Sequence, residues 1–308
     1  MMKGWILYKR PKSELSVIDH GVNRLVDAAV TFGIQLEVYC PEQIDIRISS
    51  PPLIYLNGEL ADRPDFIIPR LGADTPYAAL MIIRQLELTG VISINSSSSV
   101  EMVRDKLWVG QLMQHHNLPV PPTMLVKPSL SVEMINRQIG FPLVLKTLSG
   151  ARGLGVCLCE STTAFVDLIG LLGLYSADNR QVLIQKFIAN SYGRDLRVFV
   201  LGDKVIGCMQ RTAKESFKAN YSLGGSVESY PITQEIEDLS LSCTRVLGLE
   251  IAGIDLLFGE EGLLICEANS SPGFKGMELA TGTDIASLIL SYVVEKVNSK
   301  DRATVHCH

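Results

Sequence analysis

The chain has 308 residues, 47% hydrophobic and 20% charged, enough for two or three lobes around large buried cores and unlike a disordered chain. Lys and Arg number 28 against 33 Asp and Glu, a formal net charge of −5 that gives no electrostatic reason to expect a nucleic-acid partner. Seven cysteines, scattered through apolar runs at Cys40, Cys208, Cys243 and Cys266, suit buried thiols of a reducing compartment better than a disulfide framework. Residues 3–8 are too short for a signal-peptide core, and no run reaches the length of a membrane span, so a cytoplasmic protein without a membrane partner is expected.

Residues 3–8 (KGWILY) read as a buried strand. A helix is predicted over 16–32, with Val17, Val22, Leu25, Val26 and Ala29 on one face and Gly33 closing it. A strand follows over 34–39, and Asn57-Gly58 marks a two-residue hairpin turn within 53–60. A strand at 66–69, a helix at 77–89 and a strand at 91–95 complete an α/β domain over residues 1–98. The serine run at 96–99 is the expected boundary. Beyond it come a helix over 100–116, strands at 123–126 and 143–148 with a helix at 131–139 between them, and a glycine loop at 149–155. A strand at 156–159, a helix at 162–172 and a strand at 182–188 finish a central lobe, 99–190. A third lobe, 191–300, is mainly strands, with a hairpin over 197–210, a helix over 234–247 and a closing helix over 284–297; residues 301–308 read as a frayed tail.

Within the third lobe, 255–269 reads as two apolar strands joined by a turn near Glu261. Side chains of a strand alternate faces, so Glu267 and Asn269 point the same way, and the hairpin sets Asp255 opposite Glu267. Such hard oxygens suit Mg²⁺, which is usually shared with nucleotide phosphates. A solvated acidic face is the alternative, opposed by apolar flanks that leave a buried carboxylate needing a partner.

Three other constellations carry chemistry. Gly150, Gly153 and Gly155 allow backbone amides to approach a phosphate, and Lys146 precedes them on a strand. The spacing G-x-x-G-x-G, followed by a strand, is neither a dinucleotide fingerprint nor a Walker loop, which argues against a nicotinamide-linked oxidoreductase; alone, the loop also fits a plain β-turn. Gln185, Lys186 and Phe187 end a strand whose main chain could read an adenine edge, with Asp195 beyond it to accept from a ribose hydroxyl; an ordinary buried strand and turn is the competing reading. Arg211 and Lys214 suit a clamp on phosphoryl oxygens, with Asn220 adding an amide, although a charge run is more often a solvated loop.

Taken together, these features resemble the ATP-grasp carboxylate–amine ligases, and most closely the RimK-type branch. The resemblance is carried by Pro142-Leu-Val-Leu-Lys146, Gly193-Arg-Asp195-Leu-Arg197, Arg211-Thr-Ala-Lys214, Ala252-Gly-Ile-Asp255-Leu, Cys266-Glu267-Ala-Asn269-Ser-Ser-Pro-Gly273 and Thr281-Gly-Thr-Asp284-Ile-Ala. It is firm over 100–297 and weaker over the first hundred residues. It implies an ATP-grasp fold of α/β class (α+β lobes) behind an N-terminal Rossmann-like pre-ATP-grasp domain. Lys106 and Lys146 then resemble the two nucleotide-phosphate lysines, Lys186 and Phe187 the adenine hinge, Asp195 the ribose contact, and Lys218 and Asn220 part of the nucleotide-binding stretch. Asp255, Glu267 and Asn269 match the magnesium ligands. Many relatives carry Glu where Lys186 stands.

The implied reaction uses ATP and Mg²⁺, with Mn²⁺ as a substitute, to phosphorylate a carboxylate that an amine then attacks, with Arg211 stabilising the acyl phosphate. By the same analogy the amine is an amino acid, glutamate foremost, and the acceptor a protein C-terminus or a small metabolite. The loops near Arg70 and Lys275 are expected at the acceptor pocket, with a surface salt bridge the alternative for Arg70. Relatives often assemble as homo-oligomers. A catalytically silent ATP-binding scaffold is the competing function.

Overall fold

The computed structural model describes residues 1–72, 75–127, 130–148, 155–171, 182–219 and 224–305. The first strands are apolar on both faces, as strands covered by helices on either side must be. β1 (Lys3–Leu7) leads through two short 3-10 turns into α1 (His20–Thr31), then β2 (Gln35–Tyr39). A small antiparallel sheet follows: β3 (Ile44–Arg47), β4 (Leu53–Leu56) and β5 (Glu59–Leu60). Asn57 and Gly58 make its predicted turn, both at positive φ (49° and 84°). β6 (Phe66–Pro69), α2 (Tyr77–Leu88) and β7 (Ile92–Ser93) complete the domain, whose four-stranded sheet runs parallel in the order β2-β1-β6-β7. One expectation fails here. Val17 was placed on the buried helix face, but the helix starts only at His20, and Val17 is 89% exposed on the preceding turn, where Ser16 N–H donates to the Asp19 carboxylate.

The helix predicted over 100–116 is two helices, α3 (Ser97–Met102) and α4 (Lys106–His115). Asp105 is extended between them, and its carboxylate caps α4 by accepting from Leu107 and Trp108 amides at 3.0 and 2.9 Å. Lys106 thereby becomes the first residue of α4. The central lobe adds β8 (Thr123–Leu125), α5 (Val132–Gln138), β9 (Leu143–Thr147), β10 (Val156–Cys159), α6 (Thr162–Leu171) and β11 (Val182–Lys186), with an antiparallel sheet ordered β10-β9-β11-β8. Leu143, Leu145 and Ile184 pack under α5 and α6, so the period of two sends Lys146, Leu183 and Gln185 to the opposite face.

The third lobe is a five-stranded antiparallel sheet, β14-β13-β12-β15-β16, built from β12 (Arg194–Leu201), β13 (Lys204–Thr212), β14 (Ser226–Ser229), β15 (Ile251–Phe258) and β16 (Leu263–Asn269). α7 (Gln234–Leu247), with the bounds expected from its sequence, covers one face through Ile236, Cys243 and Leu247. On the other face Phe199, Leu201, Met209 and Ile251 join a core shared with Ile6, Leu25 and Phe66 of the first domain. α8 (Lys275–Thr281) and α9 (Ile285–Val305) close that core; α8 was not anticipated. Among the described residues no single helix is long and apolar enough to cross a membrane, and the pair formed by α8 and the apolar part of α9 is bent by 110°.

Candidate active site

Strand register gathers the predicted residues. Asp255 lies opposite Glu267 on β16 and opposite Arg197 on β12, while Asp195 lies opposite Arg211 on β13. Directly opposed residues of an antiparallel pair share a face, so one end of the sheet carries a charged row beside the shared core. Arg197 grips both Asp255 oxygens, through Nε to Oδ1 and Nη2 to Oδ2 (2.8 Å). Arg211 grips both Asp195 oxygens at 2.7 Å and also reaches Asp255 Oδ2 at 3.0 Å.

Burial works against charge on both aspartates, and only one overcomes it. Asp255 meets two guanidiniums, which outweigh its desolvation and hold its carboxyl below the usual carboxylate range. Asp195 shares Arg211 with that second anion. Burial, only partly answered by Arg211 and reinforced by Asp255, pushes its carboxyl up to about 6. Both Asp195 oxygens are engaged by Arg211 in this arrangement.

Beside this row lies a cavity of about 830 Å³ between α4, the central sheet and β16, lined in part by Lys106, Lys146, Gln185, Cys266 and Glu267. Lys106 Nζ is 3.7 Å from Glu267 Oε1. Lys146 Nζ donates to Gln185 Oε1 at 2.7 Å, and the Gln185 amide donates on to Thr123 Oγ1 at 2.9 Å. The register slips by one residue after Asp255, so Cys266 is the bulged residue of β16 and meets Lys146 at 3.6 Å. Burial raises that thiol's pKa despite the lysine, so the sulfur is a neutral wall of the cavity.

The remaining predicted residues sit around this centre. Lys186 is exposed and its N–H donates to Pro122 O at 2.8 Å, whereas the amides of Phe187 and Ile188 donate to no described residue. The Phe187 ring packs edge-on against Phe217 (centroids 6.4 Å apart), and Lys218 lies 5.7 Å from the Phe217 centroid, which ties the strand end to the loop after Arg211. Asn269 donates to Gly253 O at 3.2 Å. Gly155 is at φ +70° and closes the β9–β10 hairpin, its carbonyl accepting from Thr147 N. Gly150, Gly153 and Asn220 lie outside the described residues. Arg197 was missed as a site residue, although its spacing of two from Asp195 on a strand already placed it on the same face.

Among the described residues there is no cluster of three or more His, Cys, Asp or Glu, so a metal would rely on two carboxylates and an amide. That donor set fits a hard divalent cation that keeps several waters. Glu267 opens onto the cavity; Asp255 is held ionised, as a ligand must be, but its oxygens are engaged by Arg197 and Arg211, which would have to give way to a metal.

The chain matches the RimK-like ATP-grasp domain over residues 103–293 and the RimK PreATP-grasp domain over 15–100. It is 35% identical to a "Probable alpha-L-glutamate ligase" of Pseudoalteromonas translucida (strain TAC 125), over 92% of this chain and 95% of that protein. It is 36% identical to a "Probable alpha-L-glutamate ligase 2" of Shewanella frigidimarina (strain NCIMB 400), over 91% and 94%. Among solved structures, a RimK domain ATP-grasp protein from Sphaerobacter thermophilus superposes with TM-score 0.72 at 19% identity, covering 94% of this chain and 98% of that one. D-alanine–D-alanine ligase from Bacillus anthracis, complexed with ATP, superposes at 0.71 and 17%, covering 99% of each. The fold is that of the ATP-grasp ligases, and the chain is a ligase, an enzyme that forms carbon–nitrogen bonds. Within that class the chain belongs to the RimK-like ATP-grasp family.

Proposed function

We propose that this ligase joins an amino acid, glutamate foremost, to a carboxylate acceptor, using ATP and Mg²⁺ and releasing ADP and phosphate. The observation that carries the reading is the convergence of Lys106, Lys146 and Glu267 on one cavity beside the Arg211–Asp195–Asp255–Arg197 row. The names of the similar relatives favour glutamate. Three lobes divide the work: residues 1–98 help shape the acceptor side, and 99–190 and 191–300 clasp the nucleotide. A cytoplasmic site of action suits the ATP requirement and the unpaired thiols.

In this reading Lys106 and Lys146 hold the phosphates as point charges. From their place in the sequence, Gly150, Gly153 and Gly155 of the glycine loop, and Lys218 and Asn220, are assigned to the same phosphates. Gln185 orients Lys146, and the Phe187 and Ile188 amides are the main-chain donors left to read the base. Asp195 takes a ribose hydroxyl once Arg211 leaves it. Asp255, Glu267 and Asn269 would hold magnesium, which offsets charge on the β and γ phosphates. An acceptor carboxylate oxygen attacks the γ-phosphorus and ADP departs. The amine nitrogen then attacks the acyl carbon, the carbon–oxygen bond to phosphate breaks, and the nitrogen gives up a proton. Arg211, already among buried anions, stabilises the acyl phosphate and the tetrahedral state. A silent ATP-binding scaffold has no need of Arg211 or of the full acidic set.

ADP release with Mg²⁺, ATP and glutamate across a panel of carboxylates, with mass spectrometry of the products, tests the reading. ADP formed with one acid, together with a new amide mass, establishes it. Tight ATP binding without turnover on any acid or peptide favours the scaffold.

A further inference from the structure

Four charged side chains are nine-tenths or more buried among the described residues: Asp19, Arg70, Arg211 and Asp255. Three of them meet opposite charge. Asp19 pairs with Arg10 at 3.1 Å, and Arg211 and Asp255 pair with each other and with their strand neighbours. Arg70 meets none. Its Nη2 donates to Pro272 O at 2.8 Å, and its Nε and Nη1 are buried without any hydrogen-bond partner. Burial pulls its pKa down to about 10, so it remains charged at neutral pH. A fixed cation sealed away without an anion is costly in the folded protein alone, and it makes sense where an anion arrives.

The position narrows what that anion is. Arg70 directly follows β6, at the carboxyl end of a parallel strand, where open α/β sheets hold their ligands. Its guanidinium is 5.6 Å from the Phe274 ring centroid and faces the first turn of α1. A Cβ at Gly21 there would stand 3.2 Å from Nη2, so the glycine leaves the head its room. Pro272 and Phe274 belong to the loop that leaves β16 after Asn269, one short step from the charged row. A single guanidinium balances a single negative charge, and Asp19, the buried acid of the first domain among the described residues, is already held by Arg10, Tyr8 and Ser16. That favours a carboxylate over a dianionic phosphate.

We propose that Arg70 anchors a non-reacting carboxylate of the amino-acid substrate, at the seam between the first domain and the loop following β16. The inference rests on the ligase reading and adds to it the residue that selects an acidic or zwitterionic substrate. The expected surface salt bridge of Arg70 is replaced by a buried, unpaired cation. Phe274 covers the guanidinium, so the carboxylate enters as that ring contact gives way, and Arg70 is a positioning residue that leaves the chemistry itself alone.

The test compares wild type with Arg70→Met and Arg70→Lys in the full chain. The probes are glutamate, its α-amide and its γ-amide, with the acceptor that gives fastest ADP release. Arg70→Met should raise the KM for glutamate about 30-fold or more and leave the KM for ATP within about twofold. Wild type should lose affinity when the anchored carboxylate becomes an amide, and Arg70→Met should no longer distinguish the two. The melting temperature of Arg70→Met should equal or exceed that of wild type, since an unpaired charge is gone, and glutamate with a non-hydrolysable ATP analogue should no longer raise it. A folded Arg70→Met with unchanged glutamate KM overturns the proposal alone. A lower melting temperature with unchanged glutamate binding assigns Arg70 to structure instead. Wild type that binds ATP but releases no ADP with any amino acid overturns the ligase reading, and this one with it.

Discussion

Asp255 and Glu267 face each other across β15 and β16, yet different cations answer them: Arg197 and Arg211 hold Asp255, and Lys106 reaches Glu267 from another lobe. The Asp255 side chain is 9% exposed, whereas the Glu267 side chain is 37% exposed at the cavity wall. The two carboxylates should therefore fail differently. Asp255→Asn leaves Arg197 without its anion and Arg211 with Asp195 alone, and should cost about 3–5 kcal/mol of stability as well as activity. Glu267→Gln should abolish magnesium-dependent turnover while changing stability by less than about 1 kcal/mol. Urea unfolding beside ADP release separates the two; equal destabilisation would show that Glu267 is as structural as its partner.

The aspartates flanking Arg211 should also titrate apart. The native Asp195 carboxyl, at about 6 against an ordinary 3.8, holds its proton more tightly than in the unfolded chain. Asp195 therefore takes stability away as pH rises from about 4 to about 6, and the loss is complete above that window. Asp255 has the opposite sign: its depressed pKa gives stability that is present above 3.8 and disappears as pH falls through its native value. Carboxyl-carbon NMR, with Asp195→Asn for assignment, should show one inflection near 6 and Asp255 still ionised at pH 4. An Asp195 carboxyl titrating below 4 would show that Arg211 outweighs burial there.

Local chemistry was legible in the sequence wherever near neighbours decide the structure. The Asn57-Gly58 turn, α7 and the opposition of Asp255 to Glu267 follow from residues within one hairpin or one helix. What distant chain segments decide was not legible. Apolar periodicity ran through Asp105 without marking the cap that restarts the helix, and Val17 kept the helical period on a turn that never joins α1. The partnership of Asp195 with Arg211 needed the β12–β13 register. The solitude of Arg70 emerges only when every buried neighbour is known.

Asn95 ties the first domain to the third lobe through four hydrogen bonds. Fully buried, it donates through Nδ2 to Ile251 O and Ser270 O, each at 2.7 Å, and accepts through Oδ1 from Glu250 N and Ile251 N at 2.6 and 2.9 Å. Asn95→Ala strands buried backbone groups at the start of β15 and the end of β16 and should cost at least about 3 kcal/mol. Denaturant unfolding should then show a lower midpoint, and hydrogen exchange should rise at the Glu250 and Ile251 amides, which donate to Asn95 Oδ1. Wild-type protection at those amides in the variant would mean that water replaces the side chain without loss.

Gly253 tests whether the charged row needs its spacing. It lies opposite Asn269, and a Cβ there would stand 2.7 Å from Pro272 Cβ and 3.2 Å from Arg197 Cδ. The proline belongs to the loop that Arg70 holds, and the arginine stem carries the guanidinium that grips Asp255. Gly253→Ala must therefore push apart the loop and the Arg197–Asp255 pair, at about 1–3 kcal/mol by the general cost of overpacking. ADP release should fall at least about tenfold, because misplacement of a positioning group by an ångström costs more than binding alone reveals. ATP affinity should change far less, since neither Lys106 nor Lys146 touches Gly253. Full turnover in a folded Gly253→Ala would show that Arg197 and the loop after β16 have room to spare, and that the row works without the fit seen here.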